Sequence, residues 1–159
     1  MGVVVKWSVV LALAVFVLGV LIAVTGLHTN PLAGGAASIG VAILINIVVV
    51  FLALKQTSGE NPYGKQLLNG ALIGVIGGIL IFLSSWLLLA VVFPDYLDEM
   101  RAGYTEWIEA SGLPEAQMQK QLEAMENATP VSQSVPGLIG TFFTSLIVGA
   151  IVAIFQRKK

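Results

Sequence analysis

The sequence has no cysteine, a single histidine and few charges: only 11% of its 159 residues are Asp, Glu, Lys or Arg. Without cysteine there is no disulfide, no thiol nucleophile and no cysteine metal site. One imidazole, His28, makes neither a histidine metal cage nor a catalytic triad by itself, and His28 is expected to be an ordinary solvated turn residue. A net charge of −1 supplies no field for nucleic acid, so no nucleic-acid partner is expected. No Walker loop, Rossmann fingerprint, zinc spacing or nucleophile elbow can be read from the chain. The expectation is a protein that is not an enzyme and carries no cofactor and no metal.

What fills the chain instead is apolar sequence, 57% of all residues. A soluble domain carries about 25% charged residues, so most of this chain has little need to face water. Four runs are long enough for the roughly 20 residues that cross a hydrocarbon core: Val3–Thr25, Ala36–Leu54, Gln66–Phe93 and Pro136–Phe155. The first resembles a signal peptide in position. It exceeds the apolar core of about 7–15 residues of such peptides and no convincing cleavage site closes it, so a retained span is expected. Asn30-Pro31 and Gly34-Gly35 punctuate the turn after it. The polar loop Lys55–Lys65 follows the second run. Pro94 ends the third, which is long enough to tilt or to project from the hydrocarbon.

The segment 94–135 is the only sizeable polar stretch and is too short to bury a good core alone. Leu97, Met100, Tyr104, Trp107 and Ile108 recur at helical spacing, Ser111-Gly112 interrupts, and Met118, Leu122 and Met125 make a second stripe. Pro114 suits the first position of that second helix. These patterns predict a helical hairpin docked on the bundle or at the membrane interface, with Tyr96, Tyr104 and Trp107 suited to headgroup depth. The fold expected is all-α: residues 1–159 form one four-helix membrane domain, and 94–135 is an extracytoplasmic hairpin between helices three and four.

Lys and Arg in short flanks set orientation. Lys6, Lys55, Lys65, Arg157, Lys158 and Lys159 all fall on one side of a four-span chain, which places both termini in the cytoplasm. The hairpin holds eight acids against Arg101 and Lys120, in keeping with the outer side. The acids do not match a calcium loop and read as a solvated face.

Gly70, Gly74 and Gly78 recur every four residues in the third run. On a helix they form one bare stripe that admits a neighbouring backbone. Gly74, the middle member, is expected at the tightest helix contact. Ser145, Gly149 and Ala153 repeat the spacing in the fourth run, and Ala36 and Gly40 in the second. Asn46 lies mid-run and should hydrogen-bond another helix, with Ser84, Ser85, Thr141, Thr144 and Ser145 as candidates. Gly70, Gly74, Gly78, Asn46, Ser145 and Gly149 are therefore the expected helix-packing interface. No Asp, Glu, Lys or Arg lies deep in a span, whereas ion and proton carriers usually keep one there.

The loop and third run Gly59–Gly78, the exit Phe93-Pro94-Asp95-Tyr96, the segment Ser111–Met118, Pro130 and the terminal Arg157-Lys158-Lys159 follow one another in a known order. Over nearly its whole length the chain resembles a family of bacterial four-span inner-membrane proteins, common in Bacteroidota and known only as a domain of unknown function. Pro114 departs from that pattern, which more often has Ser before an acidic pair, so this helix cap is expected to differ. The resemblance implies location in the inner membrane and no activity, catalytic residue or cofactor. The function expected is a non-catalytic accessory or scaffold subunit, or a homo-oligomer, with lipid and membrane subunits as partners. A small channel or transporter is the alternative, requiring a water-wide path past Asn46. A membrane enzyme is third, requiring a polar cluster where hairpin meets bundle.

Overall fold

In the computed structural model, which describes residues 2–157, the chain is all helical. Its helices are α1 (Gly2–Val24), α2 (Pro31–Gln56), α3 (Tyr63–Leu87), α4 (Tyr96–Ala110), α5 (Glu115–Glu126) and α6 (Pro130–Gln156). A 3-10 turn, Leu27–Thr29, links α1 to α2, and a π turn, Leu88–Val92, extends α3. Four of these helices, α1, α2, α3 with its π turn, and α6, are long and apolar enough to cross a membrane. Lys158 and Lys159 of the basic tail lie outside the described residues.

Two long helices begin earlier than the apolar runs suggest. Asn30 caps α2: its Oδ1 accepts from the amides of Leu32 and Ala33, and Pro31 needs no partner as first helical residue. Gly34 and Gly35 are thus inside the helix rather than in a turn. Thr129 and Ser132 form a reciprocal capping box ahead of α6, with Pro130 in the first turn. Residues 130–135, expected in the hairpin, therefore belong to the span, and Pro136 sits inside the helix. Pro114 is the residue before α5 rather than its first, and its carbonyl accepts from the amides of Gln117 and Met118.

The four long helices form a ring in the order α1, α3, α6, α2. Contact between α3 and α6 is the most extensive. Val4, Leu11, Val49, Val50, Leu54 and Ile73 fill the end of the ring that carries Lys6, Lys55 and Lys65. Only 17–28% of each span is buried, so Leu, Ile and Val cover most of the outer face. Lipid suits such a surface, and water does not.

The hairpin lies across the other end. Gly103 of α4 meets the backbone of Thr29 so closely that a Cβ there would overlap it. Leu97, Met100 and Ala128 form a small buried cluster with Tyr96, Tyr104 and Met125 against it. Arg101 joins the two hairpin helices. Its Nε donates to the Met125 carbonyl (3.1 Å), which also accepts from the Ala128 amide, and its Nη2 donates to the Ala128 carbonyl (2.6 Å), so the guanidinium closes the end of α5. No residue of α5 is fully buried, and Trp107 is exposed. The outer helix thus hangs on α4 and not on the bundle.

Candidate functional site

The glycine stripe of α3 faces α6. A Cβ at Gly70 would lie 3.0 Å from the Gly149 Cα, one at Gly74 would lie 2.8 Å from the Ser145 Cβ, and one at Gly78 would lie 3.0 Å from the Leu138 carbonyl oxygen. Gly149, Ser145 and Ala153 are buried in the same seam. Asn46 reaches the seam from α2. Ser145 Oγ donates to its Oδ1 at 3.1 Å, and its Nδ2 donates to the Thr141 carbonyl at 3.3 Å. All six residues expected at the packing interface therefore meet on the face that α6 turns inward. Ala36 and Gly40 do not join them: both are exposed, and a Cβ at Gly40 would meet nothing within 4 Å.

Gln66 locks the basic end. Its side chain has no exposed surface. Nε2 donates to the carbonyls of Leu54 (3.1 Å), Thr57 (3.2 Å) and Gln156 (2.9 Å), and Oε1 accepts from Thr57 Oγ1 (2.8 Å). One amide thus ties together the ends of α2, α3 and α6. Trp7 Nε1 adds α1 by donating to Gln56 Oε1 at 2.8 Å. The sequence signal for Gln66 was an amide placed one turn inside an apolar helix, where a polar group must find partners.

The opposite half of the ring is hollow. A cavity of about 550 Å³ lies between α1, α2, α3 and α6, with α4 above it. Small residues leave the space: Gly19, Gly35, Ser38, Ala42, Gly137 and Gly140 line it. Its floor includes Asn46, Ser85, Thr141 and Thr144, its walls Val15, Ile22, Ile81 and Leu88, and its roof His28, Tyr96 and Tyr104. The π turn places Leu88 and Leu89 in this wall; its ring closes through the amide of Phe93 on the Leu88 carbonyl at 2.8 Å.

His28 is not a solvated turn residue. Gly26, at φ 69°, starts the 3-10 turn, which swings the imidazole inward until the residue is 4% exposed. Its ring stacks on Tyr96 with centroids 4.2 Å apart, and Nε2 lies 2.9 Å from Glu99 Oε2. Nδ1 is buried and, among the described residues, is the one buried side-chain polar atom without a partner. Burial, reinforced by nearby Tyr104, pushes the Tyr96 phenol up to about 12, and burial raises that of Tyr104 as well. Both phenols stay neutral hydrogen-bonding groups at ordinary pH. The floor brings Ser85, Thr141 and Thr144, and the roof Tyr96 and Tyr104, to the edge of one largely apolar space.

The chain matches, over residues 6–158, the family described as "Protein of unknown function (DUF4199)". No curated protein and no solved structure matches it.

Proposed function

The chain belongs to this family of unknown function, which supplies no activity, and we propose from its own geometry that it is a non-catalytic accessory subunit of the bacterial inner membrane, or a homo-oligomer there. The observation that carries this reading is the closed basic end. Gln66 spends its whole amide on α2, α3 and α6, and Gly70 and Gly149 bring two backbones into contact one turn further in. A channel or transporter, the alternative, needs a path through this end. The cavity reaches Asn46 and stops short of Gln66.

Asn46 and Ser145 are engaged with each other across the helix seam, and Asn46 also with the Thr141 carbonyl, which supports a structural rather than a catalytic role. The stripe Gly70–Gly78 is consumed inside the chain. The outward pair Ala36 and Gly40 remains bare and lies where a neighbouring membrane helix could approach. Both termini are assigned to the cytoplasm and the hairpin to the outer side.

Affinity purification in mild detergent, followed by mass determination, tests the proposal. The expected species is heavier than the 16.7 kDa chain, through other membrane subunits or further copies. A bare monomer that also raises ion or solute flux in reconstituted vesicles would overturn it in favour of the channel.

A further inference from the structure

The hollow half of the bundle opens through its side. Of the residues that line the cavity, the exposed ones are Ile39 and Ile43 of α2 and Gln133, Pro136 and Gly140 of α6. The lining residues of α1, α3 and α4 are all buried or half-buried, so the window lies between α2 and α6. Helix geometry gives its depth. Gly140 lies about 15 Å along α6 from Pro130, and Ile43 about 18 Å along α2 from Pro31. A hydrocarbon core is roughly 30 Å thick, so the window runs from the hairpin end to near the bilayer midplane. That is the depth of the acyl chains of one leaflet.

The second observation is the chemistry of the space. Among the described residues no Asp, Glu, Lys or Arg lines it, and Phe16, Leu18, Ile22, Ile81, Leu88 and Leu89 make its walls apolar. Asn46 at the floor already engages both ends of its amide, and Ser38 Oγ donates to the Gly34 carbonyl at 2.5 Å. The volume of about 550 Å³ falls in the range of small-molecule sites, roughly 300–1,000 Å³. A Cβ at Gly35 or Gly140 would meet nothing within 4 Å, so larger side chains would fit where the chain keeps glycine. An empty cavity costs stability in proportion to its volume, and a hydrocarbon occupant removes that cost. Ser85, Thr141 and Thr144 bring hydroxyls to the floor, which makes water the rival occupant.

We propose that this cavity takes one acyl chain of a bilayer phospholipid, which enters between α2 and α6 from the leaflet nearest the hairpin and lies against Ile81 and Leu88. The headgroup stays outside the bundle, so the site selects hydrocarbon and not a particular head. This site stands apart from the accessory role: it concerns what fills the bundle, not what the bundle joins.

The test is photo-cross-linking of the full chain in vesicles of phosphatidylethanolamine and phosphatidylglycerol. The probe is a phosphatidylethanolamine with a diazirine midway along one acyl chain, and mass spectrometry maps the labelled residues. Leu83 and Val91 face outward and should be labelled by surrounding lipid in any case. Ile81 and Leu88 are 2% and 5% exposed, so a chain reaches them only by entering the cavity. Their labelling should come within about threefold of that at Leu83. Gly140→Trp fills the window from α6, and Gly35→Leu narrows the space from α2. Each should melt no lower than the parent, lower the labelling of Ile81 and Leu88 at least fivefold and leave Leu83 and Val91 unchanged. Labelling confined to the outward residues in the parent would overturn the proposal in favour of water or a closed window. Undiminished labelling of Ile81 and Leu88 in both variants would overturn the route between α2 and α6.

Discussion

At Gly74 an added Cβ would sit 2.8 Å from the Ser145 Cβ and 3.2 Å from the backbone of Phe142, and backbone cannot rotate away. Gly74→Leu should therefore destabilise by about 1–3 kcal/mol, the usual range for overpacking. Gly77 lies off that stripe, yet a second helix does cover it: Leu11 of α1 brings Cδ2 to 3.0 Å of the Cβ position. A flexible side-chain end can yield, so Gly77→Leu should cost less, and melting in one detergent ranks the pair. Equal melting of Gly74→Leu and parent would contradict the seam. Tyr96 gives a second test. Its phenol is raised to about 12 in the docked hairpin, against an ordinary value of 10.0. The docked form thus holds its proton where the undocked form has lost it. Docking is complete below the ordinary value and weakens as pH climbs toward the raised one. A tyrosinate titration should show two delayed phenols, Tyr96 and Tyr104, and Tyr96→Phe should remove one of them; full ionisation near the ordinary value would contradict the burial. The glycine spacing and Asn46 were legible because helical periodicity alone puts them on faces. His28 was not. Its burial depends on a left-handed Gly26 and on α4 arriving from sixty-odd residues away, and neither has a periodic signature.

Among the elements, helix starts were the least legible part of the chain. Hydropathy marks where apolar residues begin, whereas a helix begins where its first amides find a cap. Asn30 and Thr129 provide those caps in polar sequence, ahead of the apolar runs. The hairpin stripes were legible as helices, but their unequal burial was not. Leu97, Met100 and Ile108 are buried, while Met118, Leu122 and Met125 are only half-buried. The reason is geometric: α4 rests on the Leu27–Thr29 turn, and α5 touches α4 alone among its substantial neighbours. Arg101 is the main polar tie between them. Arg101→Ala should speed amide exchange over Gln117–Met125 roughly tenfold, equivalent to about 1.4 kcal/mol, and leave Met100–Ile108 protected. Loss of protection in both helices together, or in neither, would contradict the hierarchy.

At the scale of the whole molecule, composition and four apolar runs were enough to anticipate an all-helical chain with four membrane-length helices. They could not anticipate that one half of the ring is packed and the other hollow. That difference arises because large residues such as Leu11, Val50 and Leu54 face inward near the basic end, while Gly19, Gly35, Gly137 and Gly140 do so near the hairpin. Facing direction across four helices is a tertiary property. The central claim is that four helices cross the membrane, so the α2–α3 loop and the hairpin tip lie on opposite sides of it. The native chain has no cysteine, and both Ser58 and Ser111 are exposed, so Ser58→Cys and Ser111→Cys each provide a single label site. On the proposed inner-membrane orientation, a membrane-impermeant thiol reagent with access to the periplasm of intact cells should modify Ser111→Cys at once and Ser58→Cys only after that membrane is opened. Labelling of both from the same side would contradict the four-span account, and labelling of Ser58→Cys alone would invert its orientation.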